Sequence, residues 1–453
     1  MREHNNQRLE AFKANPRRAL WTLALPVLYG MLVQTAYSIA DMIFVGRISA
    51  DAIAAISFNF PIIFFAVGIT FGLGSGLTAV IARSIGAGNI GDAENAAEHG
   101  LLLGIVLGGI FTVGGLIWAV PLLTLIGVTP ELLDQASQYF SIIAAGFIFA
   151  STAVMFRSIY NGEGDTRLPV IIQSGGTILN VILDPILIFS CGWGVRGAAW
   201  ATFISQLLVS LVFVYMVFVR RRIQLRLRPA VFRFNSTILR SILRIGLPAS
   251  MSMVIMSFGG GIFNFILIHF SPAAVAGYQV AIRLDQIYFL PVISIAMALV
   301  TLVGMFYGAR RLDLIRVIVR YGMGTAVIIG VSCGVIFWLI APYVFFIFTP
   351  DLEIQRVATS YIRTIVFVFP LISVGMTSGR ILQGLGRGAP MLVITSIRVA
   401  LVSAPLAWIF TQVLGKPLEW VWYGMIISIC ISASIAFTWL NHRFRQVKIE
   451  LGE

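Results

Sequence analysis

Charge is scarce in this chain. Only 11% of its 453 residues are Asp, Glu, Lys or Arg, where a soluble globular domain carries about a quarter. That shortage excludes an ordinary water-facing surface. Cysteine is scarcer still: Cys191, Cys333 and Cys430 lie far apart, form no metal-ligand spacing and read as small apolar residues. The four histidines are scattered, and no HExxH, Walker or GxSxG string occurs. An enzyme therefore has little support. Two look-alike motifs fall away. Gly86-Ala-Gly88-Asn-Ile-Gly91 fits GxGxxG, but a long apolar segment precedes it instead of the strand of a βαβ unit. Asn235-Ser-Thr237 fits a glycosylation sequon on the side expected to face the cytoplasm, where it is inert.

What the chain does have is hydrocarbon. Hydrophobic residues make up 58% of it and the mean hydropathy is +0.92. Charge-free runs extend over 52–82, 100–130 and 321–350, each longer than the roughly 20 residues that cross a bilayer. Twelve spans are expected: 20–46, 52–80, 98–121, 132–156, 168–190, 196–220, 244–270, 273–305, 321–347, 354–380, 390–413 and 419–441. Gly68/Gly72, Gly72/Gly76, Gly100/Gly104 and Gly104/Gly108 have the GxxxG spacing that lets helices approach closely in lipid. The apolar segment after the polar, basic residues 1–18 is too long for a cleaved signal and is expected to stay as a membrane helix.

A net charge of +13 could suggest nucleic acid as a partner. Its placement excludes that. Arginine gathers in the connections after even-numbered spans: Arg83, Arg157 and Arg167, Arg310, Arg311, Arg316 and Arg320, and Arg380 and Arg387. The connection between spans six and seven is richest, with Arg220, Arg221, Arg222, Arg226, Arg228, Arg233 and Arg240. Connections after odd spans are poor in positive charge. This is the positive-inside pattern, and it predicts a multi-pass plasma-membrane protein with both termini cytoplasmic. The basic linker also suits anionic lipid headgroups.

The halves repeat at an offset of 222 residues: Leu25-Pro26 matches Leu247-Pro248, Gly86-Ala87 matches Gly308-Ala309, and Gly162-Glu-Gly164 matches Gly384-Leu-Gly386. The expected fold is all-α: a six-helix bundle over 1–220, a linker over 221–243, a second six-helix bundle over 244–441 and a tail over 442–453. Six spans per half give both halves the same orientation, a transporter layout with the site between or within them.

The first span carries a carboxylate, Asp41, with Gln34 and Tyr37 before it on one helix face. An ionisable group at membrane depth marks an ion or substrate pathway; the alternative is an Asp close enough to the helix end to snorkel into headgroups. By helix rise, Asp41 lies about 30 Å along its span, Asp184 roughly 24 Å along span five, and Thr202 within about 12 Å of the outer surface. Asn180 precedes Asp184 at i−4, and Tyr139 lands at a similar level. Two carboxylates, an amide and a hydroxyl can thus converge in the outer part of the first half. Carboxylates that close need a cation between them or a proton on one. Such a set suits Na⁺ or H⁺ exchange. The alternative for Asp184-Pro185 is a turn at a helix end. The second half lacks the counterpart, with Phe263 and Leu406 at the equivalent positions. It carries instead Arg283 and Asp285, expected on different faces of span eight, and Arg398 in span eleven. An ion pair or a gate across the halves is favoured there over substrate contact, and His269 reads as a surface residue.

Taken together, Leu25-Pro26, Tyr37-Ser-Ile-Ala-Asp41 with Val45-Gly46-Arg47, and Asn161-Gly-Glu-Gly-Asp165-Thr-Arg-Leu-Pro169 resemble multidrug and toxic compound extrusion (MATE) transporters along essentially the whole chain. Asn180 with Asp184 is similar to the prokaryotic DinF-like branch. The resemblance implies a V-shaped fold and alternating-access efflux of cationic, amphipathic drugs in exchange for H⁺ or Na⁺. It implies an ion-coupling cluster of Asp41, Asn180, Asp184 and Thr202, which would also hold Na⁺ if that is the ion. It places Gln34, Tyr37 and Tyr139 along a substrate chamber, and Arg283 and Asp285 are the substrate-lining candidates of the second half. No cofactor beyond the coupling ion is expected. Met256 stands where the NorM-like branch has Glu, against a second cation site. The runner-up is a flippase for lipid-linked saccharides, for which Arg283 and Arg398 are the only candidate pyrophosphate ligands.

Overall fold

The computed structural model describes residues 2–228 and 232–451, and every regular element among them is a helix. The first half runs α1 (Arg2–Ala14), α2 (Pro16–Gly46), α3 (Ala50–Ser57), α4 (Phe60–Gly86), α5 (Ile90–Ile126), α6 (Pro130–Gly162), α7 (Arg167–Pro185) and α8 (Gly194–Val214). The second runs α9 (Ser236–Ile268), α10 (Pro272–Gly308), α11 (Leu312–Phe348), α12 (Leu352–Ile365), α13 (Phe369–Gly384), α14 (Ala389–Ser396), α15 (Ser403–Trp408) and α16 (Glu419–Leu451). Among the described residues, twelve segments are long and apolar enough to cross a membrane. This is the expected number in the expected places. Span two is α3 with α4, span ten is α12 with α13, and span eleven is α14 and α15 joined through π-helical turns.

Three boundaries differ from the sequence reading. Residues 2–14 form a helix whose Leu9 and Phe12 are buried in the main core. Residues 236–243, read as linker, are the first turns of α9; Asn235 starts it by accepting from the Thr237 and Ile238 backbone N–H groups. That capping explains the sequon-like string without any sugar. The stretch read as a tail continues α16 as far as Leu451, because Arg443 is buried and bonds Glu450 two turns on at 2.6 Å. Residues 452–453 lie outside the described residues. Arg157 and Arg380, assigned to connections, sit inside α6 and α13. The Arg157 guanidinium lies 4.4 Å over the Phe71 ring, and Arg380 bonds Gln383 at 3.1 Å.

The apolar cores locate the hinge of the molecule. One large cluster draws on both halves, and its members all lie toward the end carrying the chain termini and the arginine-rich connections. At the far end the clusters separate: one contains only residues 263–429, and two others only residues 45–198. The halves are therefore knitted together at the basic end and part at the far end, a V open on the far side. Glycine permits the knitting. A Cβ on Gly72 would strike the Ser250 backbone N, one on Gly76 the Ile242 carbonyl, and one on Gly246 the Leu73 backbone. Ser250 Oγ bonds the Ile69 carbonyl at 2.8 Å, and Thr301 Oγ1 bonds the Asn161 carbonyl at 3.0 Å. Gly68 likewise faces Met253 of the second half, whereas Gly100, Gly104 and Gly108 pack within the first, Gly100 against Leu77, Gly104 against Met155 and Gly108 against Ser151 and Ile148.

Candidate functional site

Asp41 is carried by α2, one continuous helix despite Pro26. In lipid a helix has no competing partner for its backbone, so such a proline is tolerated. Asp184 lies in α7, and the turn alternative for Asp184-Pro185 does not apply. The chain continues through Pro185 into a π-helical turn, Ile186–Ser190, within one span of 24 residues. Single π turns inside helices occur frequently at functional sites. Thr202 stands on α8 and Tyr139 on α6.

These elements bring the six residues of the first half together. The Asp41 carboxyl lies beside that of Asp184. The Tyr37 hydroxyl faces Thr202, and Tyr37 and Tyr139 both lie beside the two carboxyls. Asn180 Nδ2 approaches Thr202 Oγ1 at 3.4 Å, while Thr202 Oγ1 donates to the Ala198 carbonyl at 3.1 Å. Asp184 is 0% exposed, and neither of its oxygens has a protein donor; nor has the buried Asn180 Oδ1. Above the carboxyls toward the far end, Val45, Ala52, Ile56, Ile188, Val195 and Ala198 form an apolar roof against which Tyr139 packs. Snorkelling of Asp41 does not describe this arrangement.

The set is rich in oxygen lone pairs, from two carboxyls, an amide carbonyl and several hydroxyls. Two unit charges 4 Å apart repel by about 4 kcal/mol even at an effective dielectric of about 20. A proton shared between the carboxyls removes that repulsion, and so does a small hard cation accepting their lone pairs. One further member escaped the sequence reading. Ser205 Oγ is buried without a partner one turn along α8 from Thr202; the i, i+3 spacing was its only signal.

Other candidates stand apart. Gln34 is exposed, a turn before Tyr37. Arg283 is exposed on α10, whereas Asp285 is buried on the other face of that helix, bonded by the Tyr361 hydroxyl at 2.7 Å. Arg398 reaches the Met256 sulfur at 3.9 Å. His269 is exposed and bonds the Phe265 carbonyl one turn back.

At the basic end, the Gly-Glu-Gly-Asp string has a structural use that the sequence did not announce. The Glu163 carboxylate is buried and accepts from the Leu225 and Gln224 backbone N–H groups at 2.8 and 3.2 Å. Glu94 likewise accepts from Arg226 N and Glu98 from Arg228 N, while His99 Nε2 accepts from Asn235 N. Four side chains of the first half thus strap the linker to it. Burial pushes the Glu163 carboxyl up to about 7, against the opposing pull of the two amides and of Arg8.

Comparison with known proteins agrees with this geometry. The MatE family model matches the chain twice, over residues 26–186 and 248–409, and the two matches begin at the repeat-related Pro26 and Pro248. The chain is 28% identical to "Probable multidrug resistance protein NorM" of Thermotoga maritima, covering 92% of this chain and 91% of that one. It is 26% identical to "Multidrug export protein MepA" of Staphylococcus aureus over 96% of each. Among solved structures, the outward-facing conformation of a multidrug resistance MATE family transporter superposes with a TM-score of 0.92 at 30% identity, covering 97% of this chain and 98% of that one. Two family matches, the full-length superposition and the repeated six-span architecture agree: this chain belongs to the MATE family of membrane transporters.

Proposed function

We propose that this chain is a secondary active multidrug exporter that moves cationic, amphipathic compounds out of the cell in exchange for H⁺ or Na⁺. The observation that supports it most strongly is the Asp41 carboxyl set against the fully buried Asp184 carboxyl, with Asn180, Thr202 and Tyr37 around them. The basic end faces the cytoplasm, as the arginine-rich connections favour. The V is then open outward. In that state an entering ion neutralises the carboxyl pair, and an organic cation held there loses its counter-charge and leaves. The emptied, neutral site lets the halves reorient; on the inner side the ion departs and the carboxylates recruit the next cation. Gln34 and Tyr37, on the same helix face as Asp41, line the path beside it. The same pair serves both ligands in turn, which is what makes the exchange obligatory.

The test is ethidium efflux from cells or everted vesicles, wild type against Asp41→Asn, with the H⁺ and Na⁺ gradients collapsed separately. Efflux that stops with the mutation and with one gradient supports the proposal and identifies the ion. An Asp41→Asn variant pumping at the wild-type rate overturns it.

A further inference from the structure

The basic end, closed in this state, must part when the halves reorient, and one place along its seam is lined by charge instead of hydrocarbon. A cavity of about 410 Å³ crosses the seam there, walled by Arg83, Asn89 and Asp92 of the first half and by Tyr307, Arg310 and Glu450 of the second. Arg83, in the last turn of α4, reaches across. Its guanidinium lies 6.0 Å over the Tyr307 ring, and a Cβ on Gly386 would strike its Nη1. Gly386 has a φ of +84°, a backbone that suits glycine, and the missing side chain leaves the room that the arginine fills.

The charges around this contact are mostly of one sign. Arg443 and Arg244 of the second half lie within electrostatic reach of Arg83, and Arg387 within reach of Glu450. Among the described residues, Arg83, Arg244 and Arg387 form no ion pair. The carboxylate that answers the group is Glu450, on the last turn of α16. It accepts from both terminal nitrogens of Arg443, at 2.6 and 3.1 Å, and from the Tyr307 hydroxyl at 2.9 Å. The approach to that turn is well anchored: Leu440, Phe444 and Val447, on one face of α16, pack into the core shared by the halves. An exposed ion pair contributes little, but here Arg443 is buried and the same carboxylate fixes Tyr307.

Glu450 therefore sets the sign of the interaction across the seam. With it seated, Tyr307 presents its ring to Arg83, an attraction between the halves. With it withdrawn, Arg83 of the first half faces Arg443 and Arg244 of the second without a bonded counter-charge, a repulsion. The last turn of a helix is also where local opening costs least. We infer that the end of α16 is a latch on the inner side of the transporter: Glu450 seated on Arg443 and Tyr307 holds the seam shut, and its release lets the seam part. The latch acts on closure itself, whichever ion and compound are exchanged.

The experiment places spin labels at the exposed basic-end positions Arg167 and Arg311, one in each half, on the full-length protein in liposomes with Cys191, Cys333 and Cys430 replaced by alanine. Distances are compared for that background, Glu450→Gln, Tyr307→Phe, Arg83→Gln, and each of the first two combined with Arg83→Gln. The background should show a short distance. Glu450→Gln should raise the population with a parted inner side about fivefold, Tyr307→Phe should raise it less, and Arg83→Gln alone should change little. Adding Arg83→Gln to Glu450→Gln should restore the short distance, because the repelled charge is gone. An unchanged distribution in Glu450→Gln overturns the inference. So does an opening that Arg83→Gln fails to reverse, since that reports loosened packing of α16 and not charge. If melting in detergent shows Glu450→Gln to be unfolded, Tyr307→Phe with and without Arg83→Gln decides by the same two criteria.

Discussion

At Asp184 the question is what a single carboxyl without a protein donor does to the molecule. Replacing it by Asn keeps the shape and removes the charge, so Asp184→Asn is expected to fold, to retain ethidium in binding assays more weakly, and to lose gradient-driven efflux by about tenfold or more. Efflux rates at matched expression check this. Glu163 makes a different prediction. Its carboxyl, raised from 4.5 to about 7 by burial, binds a proton more readily in the folded than in the unfolded chain. Its contribution to stability is therefore full below about pH 4.5 and is lost as the pH climbs through about 7. Thermal unfolding in detergent between those limits should show stability falling with pH. Glu163→Gln should flatten that slope, and should cost about 1–3 kcal/mol by turning an amide donor toward a linker N–H.

For the helices, the sequence legibility was uneven, and the reasons are physical. Hydropathy marks where a helix must cross lipid, so all twelve spans were legible. Asp41, Asp184 and Thr202 could be matched by depth because helix rise is constant. Burial on the scale of single contacts was not legible. Nothing local to Glu163, Glu94 or Glu98 says that their partners are backbone amides more than 60 residues away, and the extension of α16 depends on Arg443 finding Glu450 and Tyr307. Close helix crossings were half legible: GxxxG named Gly72 and Gly76 without naming α9 as the partner. A prediction follows for the crossing of α4 with α10. A Cβ on Gly86 would fall on the Met305 carbonyl, and one on Gly308 on the Arg83 carbonyl. Gly86→Ala and Gly308→Ala should each destabilise the junction by about 1–3 kcal/mol. Gly109→Ala in α5, where a new Cβ meets nothing within 4 Å, should stabilise by about 0.5–1 kcal/mol. Melting temperatures of the three variants give the answer.

Across the whole molecule, one core shared between halves and separate cores beyond it predict motion about the basic end. Spin labels at the exposed far-end positions Asp134 and Glu353, one in each half, should report a long separation in the state described here and a shorter population when the transporter cycles. Asp41→Asn should suppress the exchange between the two. A single unchanging distance under turnover conditions would count against rigid rocking of the halves.

The strap has a consequence for how the gene can be cut. Because the linker from Gln224 to Arg228 is held by carboxylates of the first half, a break introduced at 229–231 leaves each fragment with its own folded end. Neither fragment then trails a long free tail. The fragments keep a large mutual surface at the basic end, so two separately translated halves should find one another in the membrane and restore efflux. What joins the halves is the crossing of glycine-lined helices, and the covalent connection is close to dispensable.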